Sequence, residues 1–246
     1  RKPDRDRLVL GEDQASALTK IAVSGRVVDL LVGPAGAGKT TAMNALRRAW
    51  EKEHGKGAVV GLAPSSSAAQ VLAEDLGIAT ENTAKWWQNH LQAGVSFQPG
   101  QLVIVDEASL AGTLALDRIT QLAAEVGAKV LLVGDYAQLQ AVDAGGAFGL
   151  LTHDRDDVPE LVDVHRFTHD WEKRASLDLR HGHTDVIDTY DEHQRIVDGD
   201  TEEMIDSAYA AWRSDLVAGR ATVLVSDSNE SVTALNNRAR TDLILD

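Results

Sequence analysis

The segment Gly33-Pro-Ala-Gly-Ala-Gly-Lys39-Thr40 constrains this chain more than any other part of it. It satisfies G-x-x-x-x-G-K-[ST]. It stands between the apolar run Val27-Val-Asp-Leu-Leu-Val32 and a stretch of helix formers, Thr41-Ala-Met-Asn-Ala-Leu-Arg-Arg-Ala-Trp50. A strand before the loop and a helix after it is the context the pattern needs. The glycines let the backbone curl with its N–H groups pointing inward, which makes an anion nest at a helix N-terminus. Lys39 can then reach the β- and γ-phosphates of a nucleoside triphosphate, and the Thr40 hydroxyl can hold Mg²⁺. Nucleotide contacts are therefore expected along Gly33, Pro34, Ala35, Gly36, Ala37, Gly38, Lys39, Thr40 and Thr41. The loop alone does not choose between ATP and GTP.

With 246 residues the chain has room for one large α/β domain and part of another. Its 43% hydrophobic and 25% charged residues are ordinary for a globular protein. No run approaches the ~20 apolar residues of a membrane span, so no membrane partner is expected. The start, Arg1-Lys-Pro-Asp-Arg-Asp-Arg7, has no signal-peptide pattern, and both ends read as cuts inside a longer protein. The absence of cysteine excludes disulfides and suits a reducing, cytoplasmic setting. A net charge of −14 runs against a nucleic-acid footprint, which is usually basic. That sum is global, however. Much of the acidic excess lies after residue 153, in Asp154-Arg-Asp-Asp157 and Asp198-Gly-Asp-Thr-Glu-Glu203, which read as solvated loops. The eight histidines are scattered, without the helical spacing of a zinc site.

Five short apolar runs alternate with helical patterns: 29–32, 58–63, 102–105, 130–133 and 222–225. The first four are continuous rather than alternating in polarity, as in a parallel sheet covered by helices on both faces. Each ends in residues that carry chemistry: Gly33, Pro64-Ser65-Ser66-Ser67, Asp106-Glu107 and Gly134-Asp135. Ligands of open α/β sheets bind at that edge, so the four loops should converge on one crevice. Helices are expected at 68–76, 86–91, 113–126, 171–179, 202–213 and 231–243. The fold class is thus α/β. A P-loop nucleotide-binding domain occupies 1–158, and 159–246 holds a connecting segment and the opening of a second domain.

Asp106 can hold Mg²⁺ opposite Thr40, and the neighbouring carboxylate of Glu107 can polarise an attacking water as general base. Asp followed by Glu also favours a helix start. In Gly134-Asp135-Tyr136-Ala-Gln138 the amide of Gln138 is placed to sense a γ-phosphate; the plain alternative is a polar turn capped by Asp135.

The order of Gly33–Thr40, Pro64–Ser67, Val105-Asp-Glu-Ala-Ser109 and Gly134-Asp-Tyr-Ala-Gln-Leu-Gln-Ala-Val142 resembles motifs I, Ia, II and III of superfamily-one DNA helicases. Asp-Glu-Ala-Ser and the Gly-Gly-Ala-Phe148 tail resemble the RecD-like branch, and more closely the helicase region of TraI/TrwC-type conjugative relaxases. The resemblance covers roughly residues 8–180, and 220–246 more weakly. It implies a RecA-like first domain, with ATP and Mg²⁺ as cofactors and single-stranded DNA as partner. It also implies that Gln14 reads the adenine edge, and that Arg166 in Val164-His-Arg166-Phe approaches the γ-phosphate from motif IV. Relatives usually follow that arginine with Gln, where this chain has Phe167, and an interdomain salt bridge is the other reading of Arg166.

The resemblance assigns DNA contacts to Pro64, Ser65, Ser66, Thr83 and Trp86. The serines also read as a helix N-cap, and the Trp86-Trp87 pair reads equally as half core. Lys39, Glu107, Gln138 and Arg166 form the expected catalytic set. The implied activity is 5′-to-3′ translocation on single-stranded DNA during conjugation, with a relaxase nuclease elsewhere in the same longer chain. Motifs V and VI are not found before Asp246, so this stretch, expected to be monomeric, should bind nucleotide yet hydrolyse it poorly. Two alternatives are a noncatalytic helicase-like module that binds ATP and DNA, and another P-loop enzyme such as a small-molecule kinase.

Overall fold

The computed structural model describes residues 9–138 and 146–245. The expected motif stretch Leu139–Val142 and Gly145 lie outside the described residues. The chain divides into two compact units, with the break between Gly182 and His183.

The first unit is a five-stranded parallel sheet between two helical layers. Its strands are β1 (Val28–Val32), β2 (Val59–Ala63), β3 (Ala79–Asn82), β4 (Leu102–Val105) and β5 (Lys129–Gly134), in the order β1-β5-β4-β2-β3. The central strands are buried along their length, which is why they read as continuous apolar runs. Their side chains alternate between two cores. Leu31, Leu102, Ile104, Leu131 and Val133 pack under α1 (Glu12–Val23), α2 (Lys39–His54) and α3 (Ser66–Leu76). Leu30, Val103, Val105, Val130 and Leu132 face α4 (Thr83–Ala93), α5 (Thr113–Val126) and α6 (Ala147–Asp154). The expected α/β fold with helices on both faces is what the structure shows.

Four of the expected strands are present, and the fifth strand of the sheet is a different one. β3 is built from Ala79-Thr-Glu-Asn82, polar residues on an edge, so no apolar run announces it. Residues 222–225, expected as a strand, pair with no other strand among the described residues. A strand needs a neighbour, and the described part of the second unit is helical: α8 (Val186–Glu192), α9 (Thr201–Val217) and α10 (Asn229–Leu245). Within that unit the Tyr209 hydroxyl donates to Asp242 at 2.6 Å, and Arg238 lies 4.1 Å from the Tyr209 ring centroid, joining α9 to α10.

The segment from 159 onward, expected to connect the first domain to the opening of a second, packs with the first unit up to Gly182. The cause is backbone pairing at the outer edge of β1. Val32 N–H donates to Pro159 O (3.0 Å) and Leu161 N–H donates to Val32 O (2.8 Å), so Glu160 forms a parallel bridge with Val32. Helix α7 (Asp170–Arg180) then closes the unit. At the opposite end of the sheet, Asp29 is buried between Lys129 (2.6 Å) and Arg155 (3.3 Å) and accepts from the Ser24 hydroxyl (3.1 Å).

Candidate functional site

The parallel register brings the four strand ends to one edge. Val32 is level with Gly134 and Leu62 with Val105, Gly33 N–H donates to Gly134 O, and Asp106 N–H donates to Leu62 O. β5 lies between the strand of the glycine loop and the strand of Asp106, so the turn carrying Gln138 leaves the sheet between them.

Between β1 and α2 the backbone takes left-handed turns at Gly36 (φ 85°) and Gly38 (φ 78°). Gly38 is the N-cap of α2 and no side chain caps that helix, which leaves its first N–H groups for an anion. Lys39 folds over the loop and donates to Gly33 O (2.8 Å) and Pro34 O (3.2 Å). Burial lowers its pKa, while the nearby charges of Glu107, Asp135 and Asp106 pull it back up. Thr40 is exposed at the start of α2 and Thr41 half-buried behind it. The loop presents N–H groups and a cation to one point, which fits a phosphate chain.

Asp106 follows β4, and burial holds its carboxyl above the ordinary value although Glu107 N–H donates to its Oδ1 at 3.0 Å. Glu107 sits in the left-handed region (φ 51°, ψ 38°), a strained place for a residue with a Cβ. The turn Ala108–Leu110 follows it, but Glu107 makes no side-chain cap bond, so helix capping does not explain the carboxylate. Gln138 is exposed at the end of its turn, and its Nε2 donates to Asp135 Oδ2 (3.2 Å). Asp135 also caps that turn through Ala137 N–H (3.1 Å), as the polar-turn reading expects.

Gln14 and Arg166 come to the same loop from distant parts of the sequence. Gln14 is buried on α1, donates to Gly38 O (3.3 Å) and accepts from Gly11 N–H (3.0 Å). Arg166 is exposed, and its Cβ would lie 2.6 Å from a Cβ added at Gly36. His165 N–H donates to Gly36 O, which fixes the segment there. The sequence offers little local signal for Arg180. It reaches from the end of α7 to Asp135 and Glu160.

A groove of about 830 Å³ opens beside this edge, lined by Pro64, Thr83, Trp86, Trp87, Leu110, Leu114 and Arg118 among others. It unites three of the five residues expected to touch DNA. Trp86 is corrected in its role: the residue is 8% exposed and its ring stacks on Phe97 at 4.2 Å, so it offers no free stacking face. Half-buried Trp87, with Arg118 4.6 Å from its ring centroid, is the aromatic on the open side. Ser65 caps α3 through Ala68 N–H (3.1 Å), and Ser66 accepts from Asn82 Nδ2 (2.8 Å); both remain exposed. Among the described residues no helix is long and apolar enough to cross a membrane.

A family described as AAA domain matches residues 9–201. The probable conjugal transfer protein TraA of Sinorhizobium fredii (strain NBRC 101917 / NGR234) is 32% identical over 96% of this chain, which spans 21% of that protein's length. The ATP-dependent RecD2 DNA helicase of Deinococcus radiodurans is 38% identical over 58% of this chain, a match that spans 20% of that helicase's length. The structure of Pif1 helicase from Bacteroides in complex with ADP-AlF3 and ssDNA shares the fold at a TM-score of 0.51 and 19% identity, over 83% of this chain and 57% of that one. With the glycine loop, the Asp106-Glu107 pair and the Gln138 turn on one sheet edge, the chain belongs to the AAA domain family and is similar to helicases of the superfamily-one, RecD-like type.

Proposed function

We propose that this chain is the ATP-binding front part of a motor that moves along single-stranded DNA 5′ to 3′. In this reading it works within a conjugative relaxase of the cytoplasm whose nuclease lies elsewhere in the longer protein. The observation that carries the reading is the meeting of Lys39, Asp106, Glu107 and Asp135 at one sheet edge, close enough for the three carboxylates to act on the lysine charge. The similarity to the ATP-dependent RecD2 DNA helicase and to a Pif1 fold bound to ADP-AlF3 and ssDNA supports it.

Gly33 to Gly38 and the N-terminus of α2 would hold the phosphates, with Lys39 leaving Gly33 O and Pro34 O to reach them. Thr40 and Asp106 would hold Mg²⁺, which with ATP supplies the phosphoryl group and part of its charge neutralisation. Glu107 would take the proton of the attacking water, Gln138 would read the γ-phosphate end, and Gln14 would face the adenine. Arg166 would neutralise charge developing on the transferred group, an effect worth on the order of 10³–10⁵ in rate in related systems. Pro64, Ser65, Ser66 and Thr83 would hold the DNA backbone without reading its sequence.

Titration of Mg²⁺ and a fluorescent ATP analogue into this chain tests the site. Lys39→Ala should weaken binding by about 10–100-fold, as expected for losing a charge-assisted contact of ~1.5–3 kcal/mol. The motor is tested in a longer form extended past residue 246. Hydrolysis stimulated by single-stranded DNA, and lost in Lys39→Ala, is the expected result. Binding without hydrolysis in that longer form would promote the noncatalytic module instead.

A further inference from the structure

We propose that Arg180 is a positioning residue that fixes how Gln138 meets the γ-phosphate end of the nucleotide. This rests on the reading of the glycine loop as a nucleotide site. Arg180 Nε and Nη2 both donate to Asp135 Oδ1, at 3.2 and 2.9 Å, and Nη1 donates to Glu160 Oε1 at 3.1 Å. Its guanidinium carbon lies 4.9 Å from the Tyr136 ring centroid, and its side chain is 9% exposed.

The two oxygens of Asp135 have separate tasks. Oδ1 takes the arginine and the N–H of Ala137, while Oδ2 takes only the side-chain amide of Gln138 among the bonds described. The Cβ–Cγ torsion of aspartate is broad and roughly two-fold, so nothing intrinsic holds the carboxylate plane. Donors converging on one oxygen do hold it. Oδ2 is then aimed at Gln138, and the Gln138 amide is held by its nitrogen.

Placement adds a second argument. Glu160, the other acceptor of Arg180, forms the bridge with Val32, the residue before the glycine loop. The arginine thus ties the Gln138 turn to the strand edge that carries the loop. Lysine would keep the charge but not the planar fork, so Arg180→Lys removes the orientation while leaving Asp135 an ionic partner.

The test compares affinities for ATPγS and ADP, each with Mg²⁺, in the wild-type chain and in Arg180→Lys, Gln138→Ala and the double variant. Gln138→Ala should cost about tenfold in preference for ATPγS over ADP, the effect of one hydrogen bond to a charged group. Arg180→Lys should cost the same, with ADP affinity within about twofold of wild type, and the double variant should lose no more than either single one. Independently of nucleotide, hydrogen exchange at the Ala137 amide should accelerate in Arg180→Lys and not in Gln138→Ala. If Arg180→Lys keeps the ATPγS preference while Ala137 exchange accelerates, the arginine is only a structural pin and the proposal falls alone. Additive losses in the double variant overturn it as well. Failure of the wild type to bind either nucleotide would remove the nucleotide site itself and this proposal with it.

Discussion

Gln14 donates its side-chain amide to the carbonyl oxygen of Gly38 at 3.3 Å, so the first helix is latched to the residue that caps the second. The latch leaves no room for a side chain at Gly38. A Cβ there would stand 2.2 Å from Gln14 Nε2, on a backbone already left-handed.

Gly38→Ala should therefore cost more than the ~1–2 kcal/mol of placing an L-residue in the left-handed region. Urea denaturation checks this. Repeating it in a Gln14→Ala background removes the clash and leaves only the backbone part, so the second cost should be smaller. Equal costs in both backgrounds would show that the latch does not constrain the loop.

At the other end of the sheet, Asp29→Ala should destabilise the first unit by about 3–5 kcal/mol, because it leaves buried Lys129 and half-buried Arg155 without their shared anion. Replacing Asp29 and Lys129 together by Leu and Met should cost clearly less. A double variant as unstable as Asp29→Ala would mean that the network contributes through something other than charge balance.

Burial raises the pKa of Asp106, so in metal-free protein its ionisation is harder in the fold than in the unfolded chain. The sign follows from proton linkage. The stability tied to the neutral form is present below about pH 4 and is lost as pH rises through the raised value. Asp106→Asn should then be more stable than wild type at pH 7 in EDTA, with the gap closing toward pH 4. Thermal melts across that range decide it, and a less stable variant at pH 7 would contradict the assignment.

Trp86 and Trp87 should separate cleanly. Trp86→Ala removes a buried ring stacked on Phe97 and should cost about 3–5 kcal/mol of stability. Trp87→Ala removes a half-buried ring packed on the same core, so it should cost less stability than Trp86→Ala and weaken binding of a fluorescent oligothymidine by about 1–3 kcal/mol, the value of one base stacked on an aromatic. Unchanged DNA affinity in Trp87→Ala would remove this groove from the DNA path.

Much of this was legible in the residues because burial and chemistry were written in the same places. β1, β4 and β5 are covered on both faces and so read as uninterrupted apolar runs, each ending in a glycine or a carboxylate that chemistry needs. β3 was not legible, since an edge strand of Thr, Glu and Asn owes its existence to the backbone of β2 rather than to its own side chains. The opposite failure struck residues 222–225, whose apolar pattern suits a strand but which pair with no neighbour among the described residues. Arg180 was hidden for a third reason. Its meaning depends on Asp135, 45 positions earlier, and no local spacing encodes that contact.

The bridge between Val32 and Glu160 also bears on how the chain is made. β1 is synthesised before residues 159–161, so at its outer edge the N–H and C=O of Val32 stay open until that segment arrives to cover them. Throughout that interval the nascent protein carries a bare apolar strand edge, a template for pairing with neighbours on the same messenger. The strand that bears the glycine loop thus completes its pairing only after the next hundred and thirty or so residues have been made.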